Sequence, residues 1–242
     1  MASYSTAHYL DLGQRLQSLY WEHYSVILGR YPESKFGVDT RPALFAMPGN
    51  ALVGYVLAMG VLETTLLKTD WWAQHTPYRT EADIKERLQH YEGTIRQSFF
   101  VIFASRYEWV IRNILANLDA TVAEGGLGKY KAVYDALLTC TDNQDLTVTF
   151  DVARELRNTL HNNGVYCSPK RRDSAAYLYR GQELRFRHGK SVDMATELSF
   201  QLMEDLIIAA RQIVDSSPVA GLAKAPFTLT TGESADPRAQ DV

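Results

Sequence analysis

Arg154, Arg157 and His161 recur at helical spacing within the run from Asp151 to Tyr166, and those side chains together can act on a phosphate. Arginine offers a planar donor fork that fits a phosphodiester, and histidine moves protons near neutral pH. At about 100° per residue, Val148, Val152, Leu156 and Leu160 form an apolar stripe, and Arg154, Arg157 and His161 point almost directly away from it. The cations stand at i, i+3 and i+7, so they are neighbours on one helix face. Asn158 follows Arg157 and could orient either a phosphate or His161. The same stretch also reads as an ordinary polar helix face. It ends in a cation favoured by the helix dipole and in Gly164, suited to a left-handed cap.

Charge is distributed unevenly around this stretch. The chain has 242 residues, 25 basic and 28 acidic side chains, and a net charge of −3. Between Phe150 and Lys190, however, nine basic residues face four acidic ones, which makes that segment +5 and the remainder −8. Lys170, Arg171 and Arg172, with Arg185 and Arg187, could follow a nucleic-acid backbone. A solvated loop and hairpin face account for the same charges equally well. His8, His23, His75, His90 and His188 show no metal-ligand spacing, and His75 reads as a loop residue without an evident partner, so no metal and no cofactor are expected. Cys140 and Cys167 do not form a disulfide framework or a cysteine zinc pattern.

These residues need helices to position them. Mixed three- and four-residue steps of Leu12, Leu16, Leu19, Tyr20 and Ile27 predict a helix from about Tyr4 to Arg30. Three prolines between Tyr31 and Pro48 predict an irregular connection, followed by a buried helix from Asn50 to Lys68. Thr80 with Asp83 caps the clearest pattern in the chain, running to Asp119 and broken, bent or used in a dimer near Gly93. The glycine run from Glu124 to Lys129 lacks phosphate-loop spacing and reads as a turn. Helices should follow over Lys129 to Thr139 and Thr147 to Asn162.

Residues 176–188 alternate instead, predicting a hairpin with a type II′ turn at Gly181-Gln182 that sets Tyr179 against Leu184 and Tyr177 against Phe186. Tyr177, Tyr179, Leu184 and Phe186 would share one face, packed on a final helix from Val192 to about Val214. After Ser216 the Pro-, Gly- and Thr-rich sequence reads as a mobile tail. The fold class is therefore all-α: a helical bundle with a small β-hairpin inserted before the last helix. Residues 1–216 form a single domain with an N-terminal helical extension over about 1–48, and the tail covers 217–242.

Arg157-Asn158-Thr159-Leu160-His161-Asn162-Asn163-Gly164, late in a helical chain, resembles the Arg-polar-…-His signature of the HEPN superfamily of small α-helical proteins. That family usually places four to six residues between Arg and His, with a polar residue after Arg. Arg157 has the polar follower but three intervening residues, and Arg154 has six but is followed by Glu155, so both arginines stand as candidates. The resemblance implies a homodimer whose composite cleft holds both Arg/His sets, and a metal-independent endoribonuclease of a toxin–antitoxin or antiviral defence system. It implies His161 as the proton-transfer group, Arg154 or Arg157 as the stabiliser of transition-state charge, Asn158 as an orienting group, RNA as substrate, and an antitoxin or another defence protein as a partner. Some members carry a tyrosine shortly after the histidine that a partner enzyme nucleotidylates, and Tyr166 lies five residues after His161. The alternative is a non-catalytic nucleic-acid- or nucleotide-binding module of the same fold.

Trp71-Trp72 reads as an anchoring or interface pair. The N-terminus lacks the basic-then-apolar order of a signal peptide, and Ala51 to Leu67 is short of the roughly 20 apolar residues of a membrane span. A soluble, cytoplasmic protein is the expectation.

Overall fold

Thr80 opens the longest helix. Its hydroxyl accepts a hydrogen bond from the Asp83 amide at 3.1 Å and donates one to the Asp83 carboxylate at 2.6 Å, so the first turn is capped from both sides. From there α4 (Glu81–Leu118) runs 38 residues without a break at Gly93. At about 1.5 Å per residue it extends roughly 57 Å. Its C-terminal half carries the buried residues Phe99, Phe100, Phe103, Tyr107, Val110, Ile111 and Ile114, around which the other elements assemble. The computed structural model describes residues 6–32, 39–119, 121, 128–168, 174–191 and 196–228.

In chain order the elements are α1 (Thr6–Arg30), α2 (Thr40–Val61), a π-helical turn (Leu62–Leu66), α3 (Thr69–His75), α4, α5 (Tyr130–Cys140), a 3-10 turn (Gln144–Leu146), α6 (Thr147–His161), strands β1 (Ser174–Tyr179) and β2 (Gln182–Arg187), α7 (Thr196–Asp215) and α8 (Ser217–Ala220). This is the expected mostly helical architecture with an antiparallel hairpin before the last helices. Most of the glycine run lies outside the described residues, as do positions 1–5, 192–195 and 229–242.

Helix α2 packs between α1 and α4, and α1 also meets α7. Close approach of α1 and α2 needs glycine: a Cβ on Gly49 would lie only 2.3 Å from Cζ of Tyr20. Tyr55 of α2 stacks on Phe99 of α4 at 4.5 Å between ring centroids and meets Phe200 of α7 edge-on at 5.5 Å. Farther along, Tyr107 of α4, Phe150 of α6 and Tyr134 of α5 form a continuous aromatic layer with centroid separations of 5.9 and 5.3 Å.

Four expectations are corrected. The connection expected over Tyr31 to Pro48 is helical from Thr40 onward. Asp39 caps α2 by accepting from the Arg41 amide at 2.9 Å, and Pro42 falls in the first turn, where an amide hydrogen has no helical partner. Pro48 is tolerated inside the helix, and Arg106 of α4 satisfies the Met47 carbonyl beside it at 3.1 Å. The earlier start makes Thr40–Leu66 a continuous 27-residue apolar helix, long and apolar enough to cross a membrane, although half of its apolar window is buried inside the protein as in a core helix.

The hairpin turns one residue earlier than expected. Tyr179 pairs with Gln182 and Tyr177 with Leu184, leaving Arg180 and Gly181 as the central pair, with φ of 47° and 77°. Two positive φ values define a type I′ turn. Arg180 accepts the left-handed conformation, about 1–2 kcal/mol unfavourable for a residue with a side chain, while its guanidinium bridges Glu204 at 2.8 Å and Asp205 at 2.5 Å on α7. Each pairing moves by two residues, so the expected faces survive: Tyr177, Tyr179, Leu184 and Phe186 still lie together.

The stretch read as a mobile tail is packed as far as Thr228. Val219 and Ala225 are fully buried, and Phe227 stacks on Trp109 at 4.6 Å. The Thr40 amide donates to the Ala225 carbonyl at 2.7 Å and the buried Arg41 guanidinium to the Leu222 carbonyl at 2.8 Å, so this segment clamps the start of α2. Trp72 is an anchor: it is buried, and its indole donates to the Leu66 carbonyl at 2.6 Å. His75, expected in a loop without a partner, ends α3; its ring stacks on Trp71 at 4.9 Å, and its Nδ1 lies 2.8 Å from the Trp71 carbonyl.

Candidate functional site

Helix α6 carries the candidate residues, and α4, α5, α7 and β1 all pack against it. Its buried residues are Phe150, Val152, Ala153, Glu155, Leu156 and Thr159, whereas Val148, placed on the apolar stripe from the sequence, is 39% exposed. The buried surface therefore wraps well around the helix. The helix ends as expected: Gly164, with φ of 82°, closes the last turn by donating to the Thr159 carbonyl at 2.9 Å.

This wrapping corrects the expectation of one open cationic face. Arg154 and Arg157 have side chains only 23% and 22% exposed, and each is matched to carboxylates. Arg157 reaches across to α4 and pairs through Nη1 with Glu108, whose other oxygen accepts two bonds from Arg112 at 2.6 and 3.0 Å. Arg154 turns toward the hairpin side and pairs with Glu155, with Asp151 at 3.7 Å. The two guanidiniums thus belong to two different carboxylate clusters. The buried Nε of each has no hydrogen-bond partner among the described residues.

Around Arg154 the polar layer continues. Asp151 accepts from the Tyr134 hydroxyl and from Lys131 at 3.1 Å, and the Tyr177 hydroxyl of β1 lies 3.5 Å from Glu155. Burial raises the Glu155 carboxyl above the usual carboxylate range, and the Arg154 charge opposes that rise. Burial, reinforced by the Glu155 charge, pushes the Tyr177 hydroxyl up to about 12. Tyr134 is raised further by burial and by its bond to Asp151. On the other side, burial and then the Glu108 charge raise Tyr130, which completes the Arg157 cluster. Tyr134 and Tyr177 thus serve as hydrogen-bond donors to Asp151 and Glu155.

Asn158 and His161 differ from the arginines in being exposed, on the last turn of α6. Arg157 is one turn behind His161 and Arg154 nearly two. Tyr166, the candidate for modification, is 4% exposed and its ring lies against Phe186 at 5.5 Å. Lys170, Arg171 and Arg172 lie outside the described residues. Arg185 and Arg187 stand exposed on the hairpin face opposite Tyr177, but Arg185 is neutralised by Glu183 at 2.8 Å. Together with Lys190 they border a groove of about 390 Å³ along β2.

No protein-family model, curated protein or solved structure matches this chain. The HEPN resemblance accordingly stands on the Arg-polar-…-His pattern and its helical surroundings alone. Among the described residues no group of three or more His, Cys, Asp or Glu side chains is placed to hold a metal ion. The neighbours of this polar layer that motif reading missed are Glu108, which pairs with Arg157, and Tyr134, which donates to Asp151. Glu108 is 49 positions from Arg157, and its one local signal is the i, i+4 pairing with Arg112 along α4.

Proposed function

We propose that this chain is a HEPN-like endoribonuclease in which His161, Asn158 and Arg157 act at a cleft formed with a second copy. The observation that carries the reading is the exposed last turn of α6, where Asn158 and His161 are open while Arg157, one turn back, is held in place by Glu108. Cleavage of RNA without a metal uses the 2′-hydroxyl as nucleophile. His161 takes its proton or protonates the leaving 5′ oxygen, and the Arg157 guanidinium stabilises charge on the phosphorane-like transition state. The products are a 2′,3′-cyclic phosphate and a 5′-hydroxyl. Arg157 is favoured over Arg154 because it lies one turn from His161, where Arg154 lies nearly two, and because Arg154 is enclosed by Asp151, Glu155 and Tyr177.

Incubation of the homogeneous protein with structured and unstructured RNA in EDTA tests this directly. Cleavage that disappears in His161→Ala supports it; a wild-type protein that leaves both RNAs intact overturns it. The second reading, a binding module without catalysis, is favoured by the carboxylate partners already occupying both arginines. It expects salt-sensitive RNA binding that survives His161→Ala.

A further inference from the structure

Among the described residues, one edge of strand β2 has no backbone partner. In a two-residue hairpin the closing pair, Tyr179 and Gln182, is hydrogen-bonded, so Gln182, Leu184 and Phe186 exchange backbone bonds with β1. The amides and carbonyls of Glu183 and Arg185 consequently face away from β1, and no backbone group among the described residues pairs with them. Along this edge runs the groove of about 390 Å³, bounded on its far side by Leu198 of α7. The apolar side is made by Leu184, Phe186 and Leu198, and Arg185, Arg187 and Lys190 stand along the other side and the end.

We infer that this groove binds an extended acidic peptide, which adds to β2 as a third strand between the hairpin and α7. Three features select that occupant. An unpaired strand edge offers alternating donors and acceptors at the repeat of another strand, a pattern that a nucleic-acid backbone, carrying acceptors on its phosphates, does not complement. Side chains of an added strand alternate between faces, so one set meets the partly exposed Leu184 and the edge of Leu198 while the other meets Arg185 and Arg187. Arg187 and Lys190, standing beyond the Arg185–Glu183 pair, then favour acidic residues in that second set. A second copy of β2 fits less well, because two-fold pairing about Arg185 sets the two Arg185 side chains opposite each other. The inference does not depend on ribonuclease activity.

The test uses the full chain and a fluorescein-labelled hexapeptide alternating glutamate and valine, read by anisotropy, with the lysine and valine hexapeptide and a single-stranded oligouridylate as comparisons. The acidic peptide should bind about tenfold or more tightly than the lysine peptide, lose affinity with salt, and lose about tenfold in Arg187→Glu. Backbone pairing is tested at Glu183, whose amide points outward: Glu183→Ala should bind the peptide at least as well as wild type, and Glu183→Pro, which lacks the donor and is compatible with an edge strand, should bind about three- to tenfold more weakly than Glu183→Ala. Amide NMR spectra of each variant verify that the hairpin is retained. Equal binding by the proline and alanine variants, peptide-induced shifts away from β2, preferential binding of oligouridylate on this edge, or absence of peptide binding would each overturn the inference.

Discussion

Replacement of Glu108 by alanine probes whether Arg157 is held by a carboxylate or merely stands near one. The Glu108 side chain is 13% exposed, and it faces two guanidiniums, Arg157 and Arg112, that are 22% and 23% exposed. Removing one member of a fully buried ion pair costs about 3–5 kcal/mol, whereas an exposed pair contributes about 0–1 kcal/mol. The intermediate exposure, and two cations left without their shared counter-charge, place the expected loss at about 2–3 kcal/mol. For a chain of this length that corresponds to a fall in Tm of roughly 5–10 °C. Urea unfolding and thermal scans of wild type, Glu108→Ala, Arg157→Gln and the double variant form the assay. A coupling energy of about 1 kcal/mol or more between the two sites is expected. A loss below about 0.5 kcal/mol in Glu108→Ala, or additive single effects, would refute the claim that Glu108 fixes Arg157.

Other perturbations separate the remaining contacts. Deleting everything after Ser216 removes the buried Val219 and Ala225 and the Phe227–Trp109 stack; a loss of about 4 kcal/mol and a changed tryptophan emission are expected, and an unchanged urea midpoint would contradict the packed segment. Gly49→Ala drives a methyl into the Tyr20 ring and should cost about 1–3 kcal/mol, while Gly29→Ala, with open space around it, should be neutral or stabilising by up to about 1 kcal/mol in thermal scans. Burial raises the Glu155 carboxyl in the folded state, so the folded protein holds that proton more tightly than the unfolded chain. The stability gained is present below the ordinary carboxylate range and is lost as pH rises through the raised value. Urea titrations between about pH 4 and 7 should therefore show a smaller fall in stability with rising pH for Glu155→Gln than for wild type; parallel profiles would count against it.

Periodicity revealed the long elements because each carries its own evidence. Thr80, Asp83 and the apolar steps to Leu118 specify α4 without reference to anything outside it. The failures share a different cause. Pro42 and Pro48 look like helix breakers, yet Asp39 supplies a cap, Pro42 falls in the first turn, and residues as distant as Leu222 and Ala225 hold that turn. Arg180 takes a conformation that its own side chain disfavours, with Glu204 and Asp205 on α7 gripping its guanidinium. In each case contacts made only after folding outweigh a local preference of a few kcal/mol at most.

The candidate site divides along the same line. Spacing on one helix identifies Arg154, Arg157 and His161 as neighbours, but the wheel treats every direction away from the apolar stripe as solvent. Helix α6 is instead enclosed from several sides, and the two arginines leave it toward different neighbours, Arg157 to Glu108 on α4 and Arg154 toward Glu155 and the Tyr177 side of the hairpin. A motif with two eligible arginines is ambiguous in one dimension and separable in three. If Arg157 acts with His161, Arg157→Lys, which keeps the charge but loses the fork that spans Glu108 and a phosphate, should impair cleavage far more than Arg154→Lys. Equal impairment, measured as kcat/KM on one RNA, would mean that the arginines act through the shared stability of α6 and not through separate positions at the site.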